Sequence, residues 1–166
     1  MKILVTGFEP FEGAAINPAL EAVRRLPDTI AGASIVRAEL PVVFGKDIEV
    51  LRAAVAEHES DVTLCIGQAG GRTHITPEFV GINYAHARIP DNEGNQPLAQ
   101  PIAEGGPDAY FTTLPVHAMV EKMRAAGIPA AVSYTAGTFC CNEMLYAVLN
   151  LCATEYPAMR GGFIHV

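Results

Sequence analysis

Two adjacent cysteines, Cys140 and Cys141, are the residues of this sequence whose types and position most directly suggest covalent chemistry. They lie in the segment 135–144, between a predicted strand and a predicted helix. Backbone N–H groups at a helix N-terminus favour negative charge, so we expect a thiolate there to be stabilised and the pKa of its thiol to be lowered. The segment therefore predicts a nucleophile. The alternative is that both cysteines are small buried apolar residues, which is the commoner role of cysteine.

A nucleophilic cysteine needs a base and a third group that orients the base. The sequence has five histidines. His58 lies at the polar end of a predicted helix, which favours a solvated position. His165 ends an apolar strand, where an imidazole is either a hydrogen-bonded core residue or a base. His74, His86 and His117 lie in or beside loops and remain candidates.

The four cysteines are too few and too unevenly spaced for a disulfide framework. Neighbours such as Cys140 and Cys141 form only strained disulfides. Neither a CxxC pair nor an HExxH motif is present, so we expect no metal site. Free thiols survive in a reducing compartment, and we therefore expect a cytoplasmic protein. A thiol redox or metal protein using Cys140 and Cys141 is the alternative.

Composition and charge exclude several classes of function. The 166 residues are half apolar, which suits one domain, 1–166, with a real core. A formal net charge of −7 with scattered Lys and Arg argues against nucleic acid and anionic membranes as partners. No apolar run approaches the roughly 20 residues of a membrane helix. The glycine-rich segment 67–71 matches neither the GxGxxG nor the GxxxxGK[ST] pattern for phosphates.

Strand-like and helix-like segments alternate along the chain, which predicts an α/β domain with a largely parallel twisted sheet covered by helices. The predicted strands are 2–6, 33–40, 62–66, 79–84, 130–134 and 162–166. The first predicted helix begins at Asn17-Pro18. Three further helices are predicted at 44–58, 115–126 and 142–155. Sites in such sheets form beyond the C-terminal ends of strands, where Gly7, Gly67, Gly137 and His165 lie.

Several segments of the chain resemble those of pyrrolidone-carboxylate peptidases, also called pyroglutamyl peptidases type I. The matching segments are VTGFEPF (5–11), NP (17–18), LPVVFG (40–45), GQAGGR (67–72), ITPEFVGIN (75–83), ARIPDNEGNQP (87–97), TTLP (112–115), TAGTF (135–139), CN (141–142) and RGGFIHV (160–166). They occur in order from one end of the chain to the other. The resemblance implies a three-layer α/β/α sandwich.

The resemblance also implies a Cys-His-Glu triad. It assigns the nucleophile to Cys141, the base to His165 and the orienting carboxylate to Glu78, and it brings Arg88 near the developing oxyanion. Asp91 is implied as a supporting carboxylate. The residues implied to shape or support the substrate pocket are Phe8, Phe11, Asn17, Gln68, Ile89 and Phe139.

The activity implied by the resemblance is removal of an N-terminal pyroglutamyl (5-oxoprolyl) residue from peptides through a thioester acyl-enzyme. The family suggests that no cofactor is needed and that the chain forms homo-oligomers, dimers or tetramers. The alternative within the resemblance is a non-catalytic relative that binds pyroglutamyl ends without cutting them.

Three features depart from the family pattern. Glu12 replaces a glycine, and we expect it to disturb the pocket mouth. Cys140 replaces an apolar residue such as valine. Relatives continue for some tens of mostly helical residues past the position of Val166, so we expect the domain 1–166 to be truncated relative to the family.

Overall fold

The computed structural model describes residues 1–166 and contains eight strands and four helices. The strands are β1 (Lys2–Phe8), β2 (Thr29–Ile30), β3 (Ala33–Leu40), β4 (Val62–Gly67), β5 (Thr76–Pro77), β6 (Val80–Ile82), β7 (Ala109–Phe111) and β8 (Arg160–His165). The helices are α1 (Pro18–Arg24), α2 (Lys46–His58), α3 (Val116–Ala125) and α4 (Cys140–Thr154). None of these helices has the length and apolar content needed to cross a membrane.

The central sheet has six strands in the order β2-β3-β1-β4-β8-β5. The four inner strands are parallel, and the short edge strands β2 and β5 run antiparallel to their neighbours. β6 and β7 form a separate antiparallel pair. In the register of β4 and β8, Gly67 lies beside His165. The carboxyl ends of these two strands therefore meet at one edge, as the sequence predicts for a site.

Helices cover both faces of the sheet. On one face α1 packs over β1 and contributes Val23 to a small core with Val5 and Ile35. On the other face α2 and α4 enclose the main core of 19 buried residues. α4 is buried on nearly all sides because its sequence is apolar around most of its circumference. The predicted α/β/α sandwich with a mostly parallel sheet is confirmed.

The two helix starts that matter for the site are set by their sequences. Asn17 caps α1, because its Oδ1 accepts a hydrogen bond from the Ala19 backbone N–H at 3.0 Å, and Pro18 occupies the first helical position. α4 begins at Cys140, two residues before the predicted start. Cys141 therefore lies inside the first turn of the helix and not ahead of it.

Some short elements differ from the sequence prediction. The segment 130–134 is not a strand, since it makes only the isolated bridges Ile75–Ala130 and Glu78–Ser133 with the neighbouring segment. Pro77 lies between these bridges and has no N–H with which to continue a ladder. The strand predicted at 79–84 shortens to β6. β2, β5 and β7 have only two or three residues, too few to show a period of two.

Glu12 has a left-handed backbone, with φ of 54°. Glycine adopts this conformation without the steric cost that a side chain adds, which explains why a glycine suits the position. The Glu12 side chain is exposed to solvent.

Candidate active site

A cavity of about 190 Å³ lies at the carboxyl edge of the sheet. Phe8 at the end of β1, Gln68 just after β4 and His165 at the end of β8 all contribute to its wall. The complete lining is Phe8, Phe11, Asn17, Val42, Gln68, Ala136, Gly137, Thr138, Phe139, Cys140, Cys141 and His165. The wall is mainly apolar, and it contains no acidic side chain.

This cavity brings together most of the residues that the sequence predicts for the site. Cys141 and His165 share it with five of the six predicted pocket residues: Phe8, Phe11, Asn17, Gln68 and Phe139. The sixth, Ile89, is half-buried outside the lining, and Arg88 is exposed and also outside it. Glu12 is not part of the cavity wall either. The oxyanion role of Arg88 therefore stays a prediction from the resemblance.

Glu78 and His165 form a buried pair. The ring N–H at Nδ1 of His165 donates to Oε1 of Glu78 at 2.6 Å, and the two side chains are 4% and 0% exposed. The Glu78 backbone N–H donates to the carbonyl of Phe163 in β8 at 2.9 Å, which holds the carboxylate beside that strand. Since Nδ1 faces Glu78, the other ring nitrogen, Nε2, is left for the cavity.

Arg72 is the second partner of the Glu78 carboxylate, and sequence reasoning assigned it no role. Its Nη1 donates to Oε1 of Glu78 at 2.8 Å. Burial by itself raises the pKa of Glu78, but the side chains of His165, Ser133 and Arg72 together outweigh burial and hold that pKa below its ordinary value. Glu78 is therefore ionised. The sequence did contain a signal for this contact. A carboxylate that becomes buried needs a cation as its partner, and Arg72 is the last residue of the matching segment GQAGGR.

Cys141 occupies the second position of α4, half-buried, with its sulfur against Gly67. A methyl group on Gly67 would lie 3.0 Å from Sγ of Cys141 and 2.6 Å from a ring carbon of Phe163, so only glycine leaves room for the sulfur. Burial, and then the negative charge of Glu78, raises the pKa of Cys141 to about 12. The lowered pKa expected from the helix N-terminus is therefore wrong, because burial and the neighbouring charge of Glu78 raise it.

Asn142, the residue after Cys141, anchors the first turn of α4. Its Nδ2 donates to the carbonyls of Ile82 and Tyr84 at 2.9 and 3.0 Å, and its Oδ1 accepts from the N–H of Ile82 at 3.0 Å. A buried side-chain amide with three such bonds is fully satisfied and has one orientation. Asn142 thus fixes the helix start, and with it Cys141, against β6.

Two buried carboxylates, Asp47 and Glu143, lie next to each other and to Cys140. Burial, and then the charge of Glu143, raises the pKa of Asp47 well above its ordinary value, and burial also raises the pKa of Glu143. Because two buried carboxylates this close cannot both ionise, the pair holds one proton near neutral pH. Glu143 Oε2 also accepts from the N–H of Gly45 at 3.1 Å, which ties the loop before α2 to α4.

Cys140 points into this acidic cluster and not into the catalytic pair. Its sulfur and one oxygen each of Asp47 and Glu143 all lie within 4.8 Å of one another. Burial, and then the charges of Asp47 and Glu143, raises the pKa of the Cys140 thiol further than that of Cys141. Cys140 is thus the less thiolate-like of the two neighbours.

Asp91 is a structural carboxylate of the loop 88–97 and not a part of the catalytic pair. It accepts backbone N–H groups of Glu93 and Asn95 at 2.9 and 2.8 Å, and that of Phe44 at 2.9 Å. Phe44 packs edge-on against Phe139, with ring centroids 5.1 Å apart. Asp91 therefore supports the pocket wall indirectly, because it holds Phe44, which packs against Phe139.

Comparison with known proteins adds to this geometry. A family model described as "pyroglutamyl peptidase" matches residues 1–166. The pyrrolidone-carboxylate peptidase of Enterococcus faecalis is 55% identical over 166 residues, which are 100% of this chain and 78% of that relative. The crystal structure of pyroglutamyl peptidase I from Bacillus amyloliquefaciens superposes with a TM-score of 0.98 at 53% identity and covers 99% of this chain and 79% of its own. A mutant pyrrolidone carboxyl peptidase from Pyrococcus furiosus gives a TM-score of 0.96 at 43% identity, over 100% and 80% of the two chains.

Proposed function

Because the chain belongs to the pyroglutamyl peptidase family, a family of cysteine peptidases, we propose that it removes N-terminal pyroglutamyl residues from peptides, with Cys141 as the nucleophile. The observation that carries this proposal is the shared cavity, in which Cys141 lies with His165 while Glu78 holds the far side of the imidazole. The comparisons favour the peptidase over a non-catalytic binding relative and over a thiol redox protein.

Acylation begins with a neutral thiol and a neutral imidazole. Since the pKa of Cys141 is raised, the thiolate forms only as Nε2 of His165 takes the proton and sulfur attacks the carbonyl carbon. Ionised Glu78 stabilises the imidazolium that results. The N–H of Cys141 is in the first turn of α4, which has no side-chain cap, so it is available to the developing oxyanion.

The leaving amine then takes the proton from the imidazolium as the C–N bond breaks, and a thioester remains on Cys141. Water attacks this thioester while His165 accepts one of the water protons. The C–S bond breaks, pyroglutamate leaves, and the proton returns to sulfur. No step needs a redox partner, since each bond broken is matched by one that forms.

The cavity suits an uncharged lactam. Phe8, Phe11 and Phe139 give it apolar walls, and the polar groups of Gln68 and the backbone 136–138 supply donors and acceptors for a ring amide. A free N-terminal glutamate carries an ammonium group instead. The lining holds no carboxylate to pair with that charge, and burying an unpaired ammonium costs several kcal/mol.

Fluorogenic amides of pyroglutamate and of glutamate test the proposal together. We expect turnover of the pyroglutamyl amide and a kcat/KM for the glutamyl amide that is lower by at least about 10²-fold, as the desolvation cost requires. The Cys141→Ser protein, purified in the same way, is the control for contaminating peptidases. Binding of the pyroglutamyl compound without turnover would mean a non-catalytic relative, and comparable kcat/KM for the two amides would contradict the pocket assignment.

The setting and the assembly of the protein belong to the same proposal. We infer a reducing, cytoplasmic location, which four unpaired cysteines favour. We also propose a homo-oligomer, dimer or tetramer, on the strength of the family resemblance.

A further inference from the structure

Arg72 joins the segments that carry the catalytic groups. It lies in the loop between β4 and β5, and its Nη1 hydrogen-bonds both Glu78 and the hydroxyl of Thr76 in β5. Its Nη2 donates to the carbonyl of Thr135, at 3.3 Å, at the start of the segment that leads to α4. The Arg72 side chain is 29% exposed, while Glu78 is 0% exposed. One guanidinium therefore connects Glu78 with the loop before Cys141.

One oxygen of the Glu78 carboxylate accepts the hydrogen bonds from both Arg72 and His165. Oε1 of Glu78 accepts from Arg72 at 2.8 Å and from His165 at 2.6 Å, and Oε2 is buried with no hydrogen-bond partner. Of the two donors, only Arg72 carries a permanent charge. The Ser133 side chain also favours the ionised form of Glu78, but it carries no charge. Arg72 is therefore the cation that balances the charge of Glu78 while His165 is neutral, which the base must be before each acylation.

The charge on Glu78 decides which imidazole nitrogen can act as the base. An ionised carboxylate only accepts hydrogen bonds, so it requires a proton on Nδ1 of His165 and leaves the lone pair on Nε2. A protonated Glu78 would instead donate to Nδ1 and force the proton onto Nε2. The ring would then keep its place, and the nitrogen left for Cys141 would have no lone pair.

We propose that Arg72 is a positioning residue that sets the tautomer of His165 through Glu78. The proposal rests on the proposed function, because the tautomer matters only if His165 is the base for Cys141. Arg72 is not among the residues that line the cavity. The positive charge of Arg72 balances the buried negative charge of Glu78. The Glu78 carboxylate therefore stays ionised and only accepts hydrogen bonds.

Two substitutions separate this role from simple support of the fold. Arg72→Met keeps most of the side-chain volume and removes the cation, whereas Arg72→Lys keeps the cation. We expect Arg72→Met to lower kcat on the pyroglutamyl amide by about 10²-fold with KM changed by less than about 3-fold. Arg72→Lys should recover at least about a tenth of the wild-type kcat. Arg124→Met is the matched control, because Arg124 binds only the nearby carbonyl of Ala130 and should keep wild-type kcat.

Nitrogen-15 NMR of the imidazole rings reads the tautomer directly and needs no turnover. In the Cys141→Ser protein, we expect His165 to carry its proton on Nδ1, and Arg72→Met to move the neutral ring to the Nε2–H form. Arg72→Lys should retain Nδ1–H. An Arg72→Met protein that loses activity but keeps the Nδ1–H tautomer would show a merely structural role and overturn the proposal, as would unchanged kcat. If the wild type cleaves no pyroglutamyl amide, the proposed function fails while the NMR experiment still decides the role of Arg72.

Discussion

Replacing Cys141 with serine should abolish turnover of pyroglutamyl substrates. A serine hydroxyl is far less acidic than a thiol, and the enclosure that already raises the pKa of Cys141 opposes any anion at this position. Glu78 binds Nδ1 of His165 and so fixes the direction in which Nε2 faces. That direction suits the sulfur of Cys141, which packs against Gly67 and is larger than a serine oxygen. We expect a loss of kcat of at least about 10⁴-fold, measured with the fluorogenic pyroglutamyl amide.

The neighbouring thiol provides the matched control. Cys140→Val replaces the thiol, which lies against Asp47 and Glu143, with an apolar side chain of nearly the same size. We expect this change to alter activity by no more than a factor of about three, through packing alone. Alkylation with peptide mass mapping gives a second test. Label and inactivation should increase together at Cys141, and the alkylation rate should keep rising through the alkaline range because the pKa of the thiol lies near 12. Inactivation that follows labelling of Cys140, or activity that survives Cys141→Ser, would contradict the mechanism.

Glu78→Gln should keep the fold and lower kcat by about 10²–10⁴-fold. The amide has the volume of the carboxylate but no charge, so the imidazolium formed during attack loses its stabilising partner. A glutamine can also turn its NH₂ toward Nδ1 of His165, which would favour the unproductive tautomer. KM should change little, because Glu78 lies outside the cavity that holds the substrate.

The control for Glu78→Gln is a change of a similar carboxylate that is not in the catalytic pair. Asp91→Asn removes the charge that binds the amides of the 88–97 loop, and its effect should fall mainly on stability. Circular dichroism and thermal unfolding establish that each variant is folded. A folded Glu78→Gln protein with wild-type kcat would remove Glu78 from the triad.

Periodicity and capping signals were enough to predict the central architecture. The strand at 33–40 coincides with β3, and Asn17-Pro18 starts α1 as predicted, because both signals are local to the chain. The short strands β2, β5 and β7 were missed because their pairing depends on distant partners. The segment 130–134 has strand-like composition, yet Pro77 on the facing segment interrupts the ladder.

The site shows a similar division between local and distant information. The resemblance names Cys141, His165 and Glu78, and the structure gathers them, but spacing alone left four histidines open as bases. Arg72 was missed because its partner Glu78 becomes buried only when β5 pairs with β8. The pKa of Cys141 was predicted in the wrong direction, since enclosure by the cavity wall is a property of the whole fold and not of the helix start.

The proton held between Asp47 and Glu143 makes folding itself sensitive to pH. In an unfolded chain both carboxyls ionise near their ordinary pKa values of about 4, while burial and mutual repulsion raise the pKa of the pair in the folded chain, which therefore keeps one proton to higher pH. Unfolding at neutral pH therefore releases a proton from this pair. The folded state has the higher pKa, so the stability that the pair contributes is complete below about pH 4 and is lost as pH rises from there toward the raised pKa of the folded pair.

Wherever the folded chain holds one proton more than the unfolded chain, the free energy of unfolding falls by about 1.4 kcal/mol for each unit by which the pH rises. The loss falls on the contact that joins α2 to the first turn of α4, two residues from Cys141. An alkaline medium therefore weakens the fold at the helix that carries the nucleophile.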